Sequence, residues 1–323
     1  DEGKTPQHFA IGFKEVWEVD NDKHSPGDVV HTMGWPLKGG TSGGGFLYHF
    51  DDNRIAVGLI VDLNYSNPSH SPFQEFQQFK QHPSIKQYLE SGKRVSYGAR
   101  AITKGGINSL VKMEFDGGMI VGCDAGTLNP SKIKGSHCAL QSGILAAEYI
   151  NKVLSEENCD FDDLFKSSAL FKELYESRNF SAAMHKFGFY LGATYNFIES
   201  NIFRNKLPFT IKDENRDCDS LSLSKSSPIK EYPAPDNVLS FDITSSLFLS
   251  GTNHEEDQPV HLKLTDASIP LAHNKKLYDE PAQRYCPAGV YEIIEKDGED
   301  YFQINAQNCL HCKTCDIKDP SQN

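Results

Sequence analysis

No run of 18 consecutive apolar residues occurs in the chain, which excludes an ordinary transmembrane helix. Positive charge is also scarce: 32 Lys and Arg stand against 44 Asp and Glu, a formal net charge of −12. That balance leaves no basic field to neutralise phosphates, so nucleic acid is excluded as a partner. An acidic surface suits docking onto a basic protein patch, although a merely solvated surface is the commoner outcome. The opening residues Asp1-Glu2-Gly3-Lys4 hold no apolar h-region and no initiator Met, so no signal or transit peptide is expected to remain. A G-x-G-x-x-G turn, the cradle for a dinucleotide pyrophosphate, is missing too. The chain is therefore not expected to bind a dinucleotide well alone.

What is present fits a soluble globular protein. With 323 residues, 38% hydrophobic and 24% charged, two or three packed units are expected. Phe9 to Val19 and Phe46 to Leu63 read as strands, the second broken by a hairpin turn at Asp51-Asp52-Asn53. A glycine-rich loop, 39–45, lies between them. Helices are expected over 72–91, with Pro83 opening a second one. The segment 117–123 reads as a short apolar strand running into a loop at Asp124-Ala125-Gly126, then a helix over about 133–153. Another helical region spans 162–176. Ser and Pro concentrate over 221–235, the best linker candidate.

The eight cysteines are unevenly spread. Cys123, Cys138, Cys159 and Cys218 are scattered, whereas the others follow the pattern Cys286-x22-Cys309-x2-Cys312-x2-Cys315. A disulfide framework does not favour two successive two-residue gaps; a metal site does. Such gaps aim three thiolates at one centre, and the fourth arrives from a distant loop. Four thiolates suit either zinc or an iron–sulfur cluster. Consecutive C-x2-C steps and the Cys286-Pro287 pair favour [4Fe–4S] ligation as in bacterial ferredoxins, with zinc as the alternative. Tyr291 and Thr314 lie close in sequence, and hydroxyls bonded to sulfur raise a cluster's potential by stabilising its reduced state. The plain alternatives are a core aromatic and a turn residue. His311 is expected beside the site rather than as a ligand. A single cluster relays one electron at a time, so the two-electron chemistry must come from elsewhere.

The segment from Gly122-Cys123-Asp124-Ala125-Gly126 through Lys134-Gly135-Ser136 leads into Ala139-Leu140-Gln141-Ser142-Gly143. It resembles the second FAD motif of glutathione-reductase-type flavoproteins, with Cys123 inserted between the Gly and the Asp. In those proteins the acidic residue approaches the ribityl chain or pyrophosphate, and the next helix points its N-terminus at the flavin. Gly122, Asp124, Ala125, Lys134, Gly135 and Ser136 are the FAD-binding candidates; plain strand-to-helix packing is the alternative.

Taken together, cluster pattern, flavin segment and intervening residues resemble the electron-transfer flavoprotein:ubiquinone oxidoreductase family. The stretches that carry this are 31–37 (HTMGWPL), 93–101 (KRVSYGARA), 249–255 (LSGTNHE), 286–292 (CPAGVYE), 303–309 (QINAQNC) and 319–323 (DPSQN). The resemblance implies electron transfer from reduced electron-transfer flavoprotein to ubiquinone, with FAD and one [4Fe–4S] cluster as cofactors. It implies a mitochondrial inner-membrane enzyme on the matrix side, or a bacterial cytoplasmic-membrane one. With the G-x-G-x-x-G segment missing, the chain is expected to be the C-terminal half. The other half is then a separate polypeptide, or the sequence is partial; a short tail beyond Asn323 is also absent. Gly43 and Gly44 match the pair that presents backbone to the quinone, although Ser42 stands where the family often has an aromatic. The aromatic-rich segment Phe187 to Phe209 places Phe187, Leu191, Tyr195, Ile198 and Ile202 on one helical face, flanked by Arg178, Lys186, Arg204 and Lys206. It is expected to make monotopic, interfacial membrane contact; an amphipathic core helix is the alternative.

The expected fold is α+β: the second half of a glutathione-reductase-type FAD domain, a mixed α/β quinone-binding domain and a ferredoxin-like [4Fe–4S] domain. The boundaries are 1–115 for the sheet part of the quinone domain and 116–160 for the FAD return segment. Residues 161–235 form the helical, membrane-contacting part and linker, and 236–323 the cluster domain. No residue is named as a catalytic acid or base. Two rivals stand beside this: a non-catalytic structural or docking subunit of a larger membrane assembly, and a zinc-stabilised interaction module. Iron content and colour separate the second; absence of cluster or FAD from the isolated assembly would favour the first.

Overall fold

The computed structural model describes residues 5–38, 40–132 and 135–323. These fall into two compact units, residues 10–101 with 217–323 and residues 5–9 with 102–216. The architecture mixes helices with antiparallel sheets, as the composition of the segments led us to expect.

In the first unit, β1 (Phe9–Glu18), β2 (Val29–Met33), β3 (Gly43–Phe50), β4 (Arg54–Asp62) and β5 (Lys93–Thr103) form one sheet in the order β2-β3-β4-β1-β5. β4 is an almost unbroken apolar run, and it takes the central, doubly buried place that such a run needs. It pairs antiparallel with β3 from Gly43↔Val61 to Phe50↔Arg54. The turn between them sits at Asp52 and Asn53, whose φ of 62° and 53° suit Asp and Asn better than most side chains. β3 begins at Gly43, so the glycine-rich loop is shorter than expected; ladder partners on both β2 and β4 draw Gly43 to Gly45 into the strand. Helix α1 (Pro72–Lys80) is capped by Ser71, which accepts from Gln74 N, and it buries Phe73, Phe76 and Phe79. Phe76 stacks on Phe13 of β1 at 5.8 Å. α2 (Pro83–Leu89) follows and buries Ile85 and Leu89.

Beneath α1 lies a buried ionic group. Glu15 accepts from Lys80 Nζ at 2.9 and 3.0 Å, from Arg94 Nη1 at 3.1 Å and from Trp17 Nε1 at 2.9 Å. The Phe241 ring covers both cations, 3.7 Å from the Arg94 guanidinium carbon. Burial pulls Lys80 below its ordinary range, and the Glu15 carboxylate opposes that. Glu15→Gln keeps the shape but leaves two buried cations without an anion. It is expected to lower the unfolding free energy by about 3–5 kcal/mol. Urea unfolding of the two proteins reads this directly, and equal midpoints would refute it.

The second unit carries β6 (Glu114–Phe115) paired with β7 (Gly118–Met119), then α3 (Ser136–Leu154), α4 (Phe161–Lys166), α5 (Ala169–Glu176) and α6 (Phe180–Asn201). Its core gathers Leu110, Met113, Ala125, Cys138, Phe161, Phe165, Leu170 and Leu174. The strand expected over 117–123 shrinks to two residues, because Gly122, at φ 71°, turns the chain into a 3-10 turn over Gly122–Ala125. The single helical region expected over 162–176 is two helices. Asp160 and Ser168 each cap one, accepting from Asp163 N and Phe171 N.

α6 is also two pieces. Gly188, at φ 70°, breaks it, and the two arms fold back on each other. Asn179 Nδ2 donates to Glu199 Oε1 at 2.7 Å, and Asn196 Nδ2 to Phe180 O at 3.2 Å. A Cβ at Gly192 would lie 2.8 Å from Ala183 O, so glycine lets the arms meet. The continuous face proposed from Phe187 to Ile202 is therefore wrong at its start, since Phe187 stands before the break.

The rest of the first unit holds α7 (Ile243–Phe248), α8 (Lys276–Tyr278), α9 (Ala282–Tyr285), β8 (Tyr291–Lys296), β9 (Glu299–Ile304) and α10 (Thr314–Lys318). β8 and β9 make a hairpin about Asp297-Gly298, both at positive φ. The stretch 221–235, expected as a linker, is instead held on this unit. Ser222 N donates to Ser66 O and Lys230 N to Ser69 Oγ, both at 2.8 Å. Tyr232 Oη donates at 2.7 Å to Glu75, which is fully buried and needs partners.

Candidate metal centre and cofactor loops

All four clustered cysteines belong to the first unit; three sit where a regular element stops or starts, and Cys312 lies in the loop between them. Cys286 ends α9, Cys309 ends a 3-10 turn, and Cys315 lies in the first turn of α10. Between them His311 and Lys313 adopt left-handed φ of 53° and 68°, which winds the short loop tightly. Cys286, Cys309 and Cys312 are buried, and Cys315 is half-buried; all are free thiols. Cys286, Cys309 and Cys315 share one apolar cluster with Tyr285, Val290 and Tyr291.

Charge there is unwelcome without a cation. Burial pushes the Cys286 thiol up to about 12, and Cys312 and Cys315 add to the effect. Burial also raises Cys309, Cys312 and Cys315. Yet donors already point at the sulfurs. His311 N donates to Cys309 Sγ at 3.3 Å, Thr314 Oγ1 lies 3.3 Å from Cys312 Sγ, and Tyr291 donates to Cys315. N–H groups of Val290 and Ala288 serve Cys286. Buried thiolates with donors in place and no cationic side chain among these bonds fit a cluster that brings its own positive charge. His311 is exposed, its ring tilted against those of His254 and His261, and it lies close to Cys309.

Tyr97 and Ala101 of β5 tie this loop to the sheet, a link the sequence reading missed. Tyr97 Oη donates to Pro287 O and Ala101 N to Cys312 O, both at 2.9 Å. Lys318, fully buried, donates from Nζ to Tyr65 O, Asp217 O and Ser220 Oγ. Only a motif in β5 itself, Lys93 to Ala101, hinted at this contact.

Thr314 is fully buried and Tyr291 nearly so, which places both hydroxyls inside the site. Tyr291→Phe removes one bond to sulfur, worth about 1 kcal/mol. Since that bond strengthens as the sulfur gains negative charge, the midpoint potential is expected to fall by about 40 mV. A redox titration followed by EPR measures it; an unchanged or raised potential would count against the bond.

In the second unit, Gly122 N donates to Ser142 Oγ of α3 at 2.8 Å, and a Cβ at Gly135 would lie 3.1 Å from Cys123 Sγ. The turn and the start of α3 are thus one surface. Ala125 is buried within it, while Asp124 and Ser136 are exposed. Among the described residues no side chain caps the N-terminus of α3 at Gly135, and N–H groups at such an end can receive an anionic ligand. Lys134 lies outside the described residues.

Gly43 and Gly44 occupy the first positions of β3. A Cβ on Gly43 would lie 2.1 Å from Ile60 O, and one on Gly44 2.6 Å from Thr32 O. Strand packing alone therefore requires glycine at both. Close approach of a flat ring is compatible with this but is not what the glycines are needed for.

A buried four-thiol site with donors to sulfur fits an iron–sulfur protein. The chain belongs to the electron transfer flavoprotein-ubiquinone oxidoreductase family. The family model for the ubiquinone-binding domain matches residues 9–102, and that for the 4Fe-4S domain matches residues 237–323. The electron transfer flavoprotein-ubiquinone oxidoreductase of Pseudomonas aeruginosa is 60% identical, over 98% of this chain and 59% of that protein. A probable electron transfer flavoprotein-ubiquinone oxidoreductase of Acinetobacter baylyi is 52% identical, over 100% of this chain and 61% of its own length. The mitochondrial protein of Sus scrofa is 50% identical, over 98% and 54%. The chain thus spans between half and two thirds of these relatives.

Proposed function

We infer that this chain is the part of an oxidoreductase that receives electrons from reduced electron-transfer flavoprotein and delivers them to ubiquinone. The observation that carries this is the buried set Cys286, Cys309, Cys312 and Cys315, already supplied with N–H and O–H donors to sulfur. A [4Fe–4S] cluster bound there supplies one-electron chemistry, and FAD supplies the step between one and two electrons. Gly122, Asp124, Ala125, Gly135 and Ser136 would receive the flavin at the start of α3; Lys134, also expected there from the sequence, lies outside the described residues. Gly43 and Gly44 would face the quinone head group.

A further partner is needed to complete the flavin site, in keeping with the chain's share of its relatives' length. α3 supports this: Leu140, Ile144 and Leu154 stand on one face and are 65–79% exposed. Such a face suits a covering FAD-binding segment, on a separate chain or a longer one. No helix among the described residues is long and apolar enough to cross a membrane. Contact is instead monotopic, through the outer side of the second arm of α6, at the mitochondrial inner membrane on its matrix side or at a bacterial cytoplasmic membrane. Arg178, expected as a flanking cation, is buried and bonds to Leu207 O and Tyr175 O, so Lys186, Arg204 and Lys206 take that role.

The test is an EPR spectrum of the chain with its native partners, before and after dithionite. A rhombic signal only on reduction, with about four irons per chain, is expected. Zinc in place of iron would overturn the electron-transfer role.

A further inference from the structure

A second constellation of metal-binding side chains lies in the other unit. His8, on the segment entering β1, is held by Lys104 N donating to its carbonyl and by Thr5 N donating to Asn108 O. His185 stands on the first arm of α6. Asp213 follows Ile211, whose N–H donates to Asn179 Oδ1 at 2.8 Å. Three segments far apart in sequence thereby aim two imidazoles and one carboxylate at one point. His185 Nδ1 lies 2.7 Å and His8 Nε2 3.3 Å from the same oxygen, Asp213 Oδ2. The rings meet edge to face at 5.2 Å, and all three ligand atoms fall within 4.8 Å of one another. The imidazoles are 6% exposed and the carboxylate 16%.

We propose that His8, His185 and Asp213 form a binding site for a divalent transition cation, with Zn²⁺ the best match. Two imidazoles select such a cation over Mg²⁺ or Ca²⁺. Tetrahedral zinc with bonds of about 2.0–2.1 Å keeps its ligand atoms about 3.3 Å apart. The His8–Asp213 spacing already has that value, and the His185–Asp213 pair needs to open by about half an ångström. Burial opposes charge on Asp213, but the bond from His185 and the nearby His8 outweigh it and keep the carboxyl below its usual range. One carboxylate and two neutral imidazoles leave a site of net charge +1 with an open position for water or an anion. The partly exposed carboxylate gives the ion its way in. Bound there, the cation would clamp the first arm of α6 to the segment 5–8.

This site shares no residue with the four-cysteine centre, so its test must tell the two apart. The full chain, purified with its iron, is titrated with Zn²⁺ by calorimetry and examined by zinc-edge X-ray absorption. One zinc per chain is expected, with nitrogen and oxygen neighbours, an imidazole pattern and unchanged iron. His185→Gln and Asp213→Asn should each weaken it by at least the roughly 10–100-fold that outer partners alone command. Zinc should raise the thermal midpoint of the parent chain and not of either variant. Absence of zinc binding, sulfur neighbours, or binding equal in both variants would overturn the proposal. Sulfur neighbours with lost iron would place the zinc at the four-cysteine centre by displacement rather than at this site.

Discussion

Cys286→Ala is expected to leave the chain without its cluster, with iron falling from about four atoms per chain to background. Cys286 is the one proposed ligand from outside the short loop, so its loss would break the link between α9 and the residues 309–315. The thiol is 6% exposed and packs against the core of the unit, so the variant also opens a small cavity. Truncating a buried side chain of this size costs about 1–2 kcal/mol, which the intact sheet should absorb. The two effects separate by experiment. Iron analysis and EPR should lose the cluster completely, while circular dichroism should keep most of the secondary structure. Full iron occupancy in the variant would remove Cys286 from the ligand set. Cys218→Ala is the control, because that cysteine is equally buried and lies outside the loop.

The paired change Leu191→Asp and Phe197→Asp is expected to release the chain from lipid. These side chains are 69% and 64% exposed, so the substitution should leave the packing of the hairpin alone. The opposite side of the same arm holds Gly192 and Glu199, which face the first arm. Each apolar side chain placed in the interface is worth about 1.5 kcal/mol or more, so two together are worth roughly a hundredfold in partitioning. Sedimentation with vesicles of mixed zwitterionic and anionic lipid measures the change. Binding that survives the double substitution would move the membrane contact elsewhere. A parallel thermal melt, expected to match the parent, shows that any loss is not unfolding.

Much of this was legible from residue patterns, and the gaps have physical causes. The apolar run of β4 and the Asp-Asp-Asn turn announced the hairpin, because burial on both faces and a left-handed turn each leave a local mark. The cysteine spacing announced a metal site for the same reason. What stayed hidden depends on partners distant in sequence. Nothing near Tyr232 or Lys230 says that a buried Glu75 waits for them, so a packed stretch read as a linker. Gly188 and Gly192 were passed over within an apolar helix, although the first breaks it and the second lets the arms close. The steric demand of the neighbouring strands for glycine at the start of β3 likewise leaves no local mark. His8, His185 and Asp213 show no motif at all.

Lys318 bonds to the carbonyl of Tyr65 across 253 positions, and Tyr97 reaches Pro287 across 190. During synthesis the sheet strands emerge before the residues that anchor to them. The early strands therefore wait, partly uncovered, until residues 286–318 emerge and the cysteine loop can settle on β5. Iron delivered before that moment meets a chain whose ligands are not yet gathered. Cells that make this protein faster than they can supply iron should accumulate a form that is susceptible to proteolysis at its C-terminal end, while its sheet remains intact.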